Sequence, residues 1–106
     1  MDFNEYQLDA LKTSNTLQGR ERIVYLALGL AGETGEIIEH VKKYFGHGHT
    51  LDIAALKKEL GDVLWYLAVL AHALGLDLND VAASNIAKLK ARYPQGFSSE
   101  RSINRE

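Results

Sequence analysis

A chain of 106 residues has room for one domain and not two, and its 46% hydrophobic, 25% charged composition is that of an ordinary globular protein. A net charge of −2 lacks the basic excess that a sequence-independent grip on a nucleic-acid polymer needs, so any nucleotide partner must be held at a local site. The absence of cysteine excludes disulfides, thiolate nucleophiles and cysteine-ligated metal centres.

The opening Met1-Asp2-Phe3-Asn4-Glu5 is acidic where a secretory signal is basic and then apolar. A first helix is expected from about Asn4 to Lys12, with Asn4 as its N-cap and Tyr6, Leu8 and Leu11 as apolar contacts. A second runs from about Glu21 to Tyr44, where Ile23, Leu26, Ala27, Leu30, Ile37 and Val41 recur at helical spacing. Gly46-His47-Gly48-His49 then breaks the pattern as a loop.

The third helix is expected from about Asp52 to Leu74. Leu56, Leu60, Val63, Leu67, Leu70 and Leu74 form one stripe, and Leu64, Trp65, Val69 and Ala71 make other faces apolar as well. A helix apolar nearly all round is buried on several sides, so this one should be central, closed by a left-handed cap at Gly75. The run from Val63 to Leu76 is interrupted by His72 and Gly75 and is too short to span a bilayer. The fourth helix is expected from about Asn79 to Arg92, with Asp77 as cap, Asp80 three residues on, and Val81, Ile86 and Leu89 facing inward. Tyr93-Pro94 stops it.

The expected fold is all-α: one domain over residues 1–106, a compact four-helix bundle-like protomer with helices paired across an oligomer interface. Its core spans about 4–93, and its tail, 94–106, is mobile or docked on a partner subunit. The expected setting is cytoplasmic, with no membrane partner.

Several carboxylates break the amphipathic pattern. Glu33 falls on the inward stripe of Leu26, Leu30 and Ile37, and Glu36 neighbours it one turn on. Glu59 and Asp62 repeat that spacing of three beside Leu60 and Val63. An unpaired buried carboxylate costs several kcal/mol, and facing pairs repel. A hard divalent cation with oxygen ligands offsets both, which points to Mg²⁺, with Mn²⁺ as a substitute. A carboxylate-bridged di-iron centre would need Glu-x-x-His on two helices, and none of the 4 histidines follows a glutamate by three.

Glu33-Thr34-Gly35-Glu36 and Glu59-Leu60-Gly61-Asp62, flanked by Leu28 to Gly32 and by Val63-Leu64-Trp65-Tyr66, resemble the MazG-like family of all-α nucleoside triphosphate pyrophosphohydrolases. Asn85-Ile86-Ala87-Lys88-Leu89 and Arg92-Tyr93-Pro94 resemble its C-terminal signature, so the likeness covers roughly Leu26 to Phe97. It implies conversion of an NTP or dNTP to the monophosphate and pyrophosphate, with Mg²⁺ held by Glu33, Glu36, Glu59 and Asp62. It also implies a homodimer or homotetramer whose sites form between subunits, and a role in clearing noncanonical or surplus nucleotides.

Under that resemblance Lys88 and Arg92, four apart on one helix face, contact phosphate. Asn85 and Tyr66 are candidate contacts to the rest of the nucleotide. Trp65 and His72 read as core or interface residues, Lys42 and Lys43 as solvated, and His47 and His49 as parts of a loop that can serve as a lid. Two further readings stand beside this one: a noncatalytic helical dimerisation or regulatory module, and a hydrolase of another pyrophosphate-containing nucleotide. The complete set of four acids favours an enzyme over a module.

Overall fold

In the computed structural model, which describes residues 1–104, the chain forms α1 (Phe3–Leu11), α2 (Gly19–Gly46), α3 (Ile53–Ala73), α4 (Leu78–Arg92) and a short α5 (Ser99–Ile103). No strand occurs among the described residues; Pro94 and Gly96 form an isolated bridge. No single helix there is long and apolar enough to cross a membrane.

Local chemistry sets the helix ends. Asp2, not Asn4, caps α1: its carboxylate accepts from the Glu5 N–H at 2.8 Å, and the Glu5 carboxylate accepts from the Asp2 N–H at 3.1 Å. That reciprocal box satisfies two otherwise orphaned donors and outcompetes a lone Asn. Asn4 instead exchanges two hydrogen bonds with Asn79 and pins α1 to the start of α4. Asp52 and Asp77 cap α3 and α4 through the N–H groups of Ala55 and Asp80. At the end of α3, Gly75 adopts φ +76°, and the N–H groups of Gly75 and Leu76 bond back to His72 and Ala71. This Schellman closure turns the chain, so that α3 and α4 meet at 101°.

α2 and α3 form an antiparallel pair joined by the 47–52 loop, and α1 and α4 pack mainly on α3 and on each other. One core cluster joins Ala10, Leu26 and Val69, with Tyr6, Trp65 and Tyr66 against it. A second joins Ala68, Ala71 and Leu78. The radius of gyration is 16.9 Å, against about 13 Å for a compact domain of this size. The expectation of four helices therefore holds, but the protomer is open rather than a compact bundle.

The buried face of α3 differs from the expected stripe. Ala68, Val69 and Ala71 are buried, whereas Leu60, Leu67 and Leu74 are exposed. Trp65 fixes this rotation: its indole N–H donates to Thr13 Oγ1 at 2.8 Å and to the Ala10 carbonyl at 3.1 Å. Ile86 and Leu89 of α4 also face outward, and His72, expected in the core or an interface, is exposed on the protomer. The tail carries α5 and exposes Phe97 and Ile103; the last two residues of the expected 94–106 tail lie outside the described residues.

Gln7 is the polar residue that joins these layers. It is buried, its amide donates to the carbonyls of Ala68 (2.9 Å) and Leu76 (3.1 Å), and its carbonyl accepts from the Leu78 N–H (3.2 Å). The Leu78 N–H opens α4 and has no partner within its own helix. Gln7→Leu should therefore destabilise the fold by about 2 kcal/mol, because it strands buried backbone groups while keeping side-chain volume. Urea melts check this, and an unchanged midpoint would contradict it.

Candidate metal centre

The antiparallel register of α2 and α3 brings the acid pairs together. Carboxylate oxygens of Glu33, Glu59 and Asp62 lie within 4.8 Å of one another, with Glu33 and Glu59 half-buried and Asp62 exposed. Glu36 is exposed and stands outside this group of three, although its charge reaches Glu33. The donor set is all oxygen and all anionic, which fits a hard divalent cation such as Mg²⁺ or Mn²⁺.

The electrostatics express the same crowding. The Glu33 carboxyl is pushed up from its ordinary value of 4.5, first by burial, then by the charges of Asp62 and Glu59, by a hydrogen bond with Glu59 and by the charge of Glu36. In the absence of a cation, Glu33 thus keeps its proton to a higher pH than a free glutamate does.

The sign of the linkage follows. A carboxyl whose folded pKa is raised contributes stability that is fully present below its unfolded value and is lost as pH rises through the folded value. With chelator present, the wild type should lose thermal stability relative to Glu33→Gln as pH rises above 4.5. Mg²⁺ should restore it by compensating the charge. Melting curves at a series of pH values check this, and a difference between the two proteins that does not change with pH would contradict it.

Tyr66 feels the charge of the acids. Its hydroxyl is raised by burial, by a hydrogen bond with Tyr25 and by the charges of Tyr25, Glu33 and Asp62. The Tyr25 and Tyr66 rings are 6.5 Å apart, and Trp65 meets Tyr66 edge-on at 4.9 Å. Gly29 makes room for this packing: a methyl there would overlap the Tyr66 ring and stand 2.5 Å from its Cζ. The hydroxyl of Tyr6 in α1 is also raised, first by burial and then by the charge of Asp62.

On the loop side of the acids, His40 Nε2 stands 4.0 Å from Glu59 Oε1. Sequence reasoning gave Tyr25 and Gly29 no part in the site and considered His40 only as an iron ligand. A glycine inside an otherwise regular helix was the one available signal, since it costs about 1 kcal/mol there and marks a close approach.

The other candidates are not gathered with the acids. Lys88 and Asn85 are exposed on α4, and Asn85 lines a shallow pocket with Phe3, Leu64, Leu67, Leu78, Val81 and Ala82. Arg92 is half-buried near the end of α4. Lys42 and Lys43 are exposed, each 4.0 Å from Glu39, and the rings of His47 and His49 stand 6.2 Å apart in the loop.

Comparison with known proteins agrees with this centre. The MazG nucleotide pyrophosphohydrolase domain matches residues 23–97, which include all four acids. The Gene 37 protein of Mycobacterium phage L5 is 39% identical over 80 residues, covering 72% of this chain and 70% of the phage protein. No solved structure matches the chain. The chain, in which Glu33, Glu59 and Asp62 of its Glu-x-x-Glu and Glu-x-x-Asp pairs converge, belongs to the MazG nucleotide pyrophosphohydrolase domain family.

Proposed function

We propose that the protein is a Mg²⁺-dependent nucleotide pyrophosphohydrolase that converts an NTP or dNTP to the monophosphate and pyrophosphate, with Mn²⁺ able to replace Mg²⁺. The convergence of Glu33, Glu59 and Asp62 within 4.8 Å carries this reading, together with membership of the family. Glu36, one turn from Glu33 on the same side of α2, is the fourth acid of the proposed set. When bound, the cation supplies Lewis acidity, which makes water a competent nucleophile at neutral pH and neutralises phosphate oxygens. The chain's part is to hold four anionic oxygens in one place and to accept the proton released by water. In the reaction the water oxygen bonds to the α-phosphorus, and the bond from that phosphorus to the bridging oxygen breaks. The electron pair leaves with pyrophosphate.

The same proposal includes a homodimer or homotetramer. The protomer exposes Leu28, Ile38, Leu60, Leu67, Leu74 and Ile86, and its open shape leaves these faces uncovered. Such an amount of exposed apolar surface marks an interaction face. In this arrangement Lys88 and Arg92, with Asn85, reach the phosphates of a nucleotide held by a neighbouring copy, and Tyr66 contacts the nucleotide held by its own acids.

A panel of NTPs and dNTPs tests the reading, with pyrophosphate release followed in Mg²⁺ and in chelator. Release that requires the cation and differs among bases is expected. A folded protein that releases no pyrophosphate from any nucleotide would overturn it.

A further inference from the structure

The functional side chains occupy an ordered track along α2 and α3. At one end stand Tyr25 and Tyr66, in the middle Glu33, Glu59 and Asp62, and at the other end His40, whose Nε2 stands 4.0 Å from Glu59. Beyond His40 lies a polar pocket of about 440 Å³ lined by His40, Lys43, His49, Thr50 and Asp52. The loop is folded onto α2 by the His49 N–H, which donates to the Lys43 carbonyl at 3.2 Å, so that His49 and Thr50 face the pocket beside Lys43. The one acid in its wall, Asp52, is engaged in capping α3 through the Ala55 N–H. Glu39 lies 4.0 Å from both Lys42 and Lys43, too far for a tight pair with either.

The two ends therefore differ in chemistry. The tyrosine end offers rings and hydroxyls, which suit a sugar or a base. The loop end offers an ammonium, two imidazoles and a hydroxyl, which suit a polyanion. We propose that the His40–Lys43–His49 pocket receives the β- and γ-phosphates of the substrate and holds the departing pyrophosphate. This fixes the polarity of the nucleotide, with the nucleoside toward Tyr25 and Tyr66 and the phosphates toward the 47–52 loop. The inference rests on the pyrophosphohydrolase reading and assigns a subsite within it. As the α-phosphorus to bridging-oxygen bond breaks, the charge left on pyrophosphate accumulates beside the Lys43 ammonium and the His49 imidazole, whose N–H groups can donate to it.

The test compares wild type with Lys43→Gln and His49→Ala, both changes at exposed positions, and with Lys42→Gln, which removes the same charge one residue outside the pocket. Binding of inorganic pyrophosphate with Mg²⁺ is measured by calorimetry, and product inhibition by pyrophosphate and by nucleoside monophosphate is measured during turnover. Lys43→Gln and His49→Ala should each weaken pyrophosphate by about tenfold, as loss of one charge-assisted contact does. Monophosphate inhibition should stay unchanged, and Lys42→Gln should match wild type.

Equal weakening by Lys42→Gln and Lys43→Gln would show diffuse surface charge and overturn the pocket. Weakening of monophosphate instead of pyrophosphate would reverse the polarity and also overturn it. Turnover with pyrophosphate binding insensitive to both pocket variants sinks the pocket and leaves the enzyme reading standing. Lys43-dependent pyrophosphate binding in a protein that turns over no nucleotide sinks the enzyme reading and leaves the anion pocket standing.

Discussion

Glu59→Gln should lower Mg²⁺-dependent pyrophosphate release by about a thousandfold while the helices remain folded. Glu59 is the hinge of the acid cluster. It lies with Glu33 and Asp62 inside 4.8 Å, shares a hydrogen bond with Glu33 and has His40 at 4.0 Å. The amide preserves volume and most packing but removes one anionic oxygen pair from the ligand set. A cation that loses an anionic ligand binds far more weakly, by more than about a hundredfold on the scale set by losses of supporting groups.

A purely structural role predicts the opposite balance. In the absence of metal the like charges repel, and Glu59 is one cause of the raised Glu33 carboxyl. Neutralising Glu59 relieves that repulsion, so the metal-free variant should melt no lower than wild type. Circular dichroism and calorimetric Mg²⁺ titration separate the two cases. Retained activity within about tenfold of wild type would contradict the metal role.

Gly29→Ala should destabilise the protein by about 2 kcal/mol and depress activity with it. An alanine inside a helix is ordinarily worth about 1 kcal/mol over glycine, so the expected sign runs against intrinsic propensity. The reason is the Tyr66 ring, which lies against the Gly29 backbone so closely that a methyl would overlap it. Tyr66 has little freedom to withdraw, held as it is against Trp65 at 4.9 Å and facing Tyr25. Its displacement would also move a hydroxyl that feels the charges of Glu33 and Asp62. Gly32→Ala is the control: a methyl there meets nothing within 4 Å and should stabilise the isolated protomer by up to about 1 kcal/mol. In a Tyr66→Leu background the Gly29→Ala penalty should shrink, because the ring that clashes is gone. An equal penalty in both backgrounds would contradict the assigned contact.

The acid centre was legible because a carboxylate on an apolar stripe is costly unless a cation offsets its charge, and two such pairs repeat the same spacing. Glu33 is half-buried as its place among Leu26, Leu30 and Ile37 requires, and Glu59 likewise faces α2. The Asp77 cap and the Gly75 closure were legible because each depends on residue chemistry within four positions.

What escaped the sequence depends on contacts distant along the chain. α3 is apolar nearly all round, so periodicity could not say which face turns inward. The rotation is set by the Trp65 indole reaching α1 and by the notch at Gly29. Gln7 looks like a solvent-side residue of an amphipathic helix, yet it serves three backbone groups, at Ala68, Leu76 and Leu78. The spacing of Lys88 and Arg92 placed them on one face of α4 but carried no information on which helix that face meets. α4 packs on α1 and α3, so those residues are not gathered with the acids of their own chain.

The central claim is that the acid cluster directs water to the α-phosphorus of a nucleoside triphosphate, and phosphorus NMR of the reaction products tests it most directly. Incubated in oxygen-18 water with Mg²⁺ and an accepted nucleotide, the protein should produce the monophosphate and pyrophosphate resonances together, in equal amounts and at the same rate, with the isotope shift on the monophosphate alone and neither product appearing in chelator. Label in the pyrophosphate instead of the monophosphate would put the attack on the β-phosphorus, and diphosphate with inorganic phosphate would put the cleavage at the β–γ anhydride; either result contradicts the assignment.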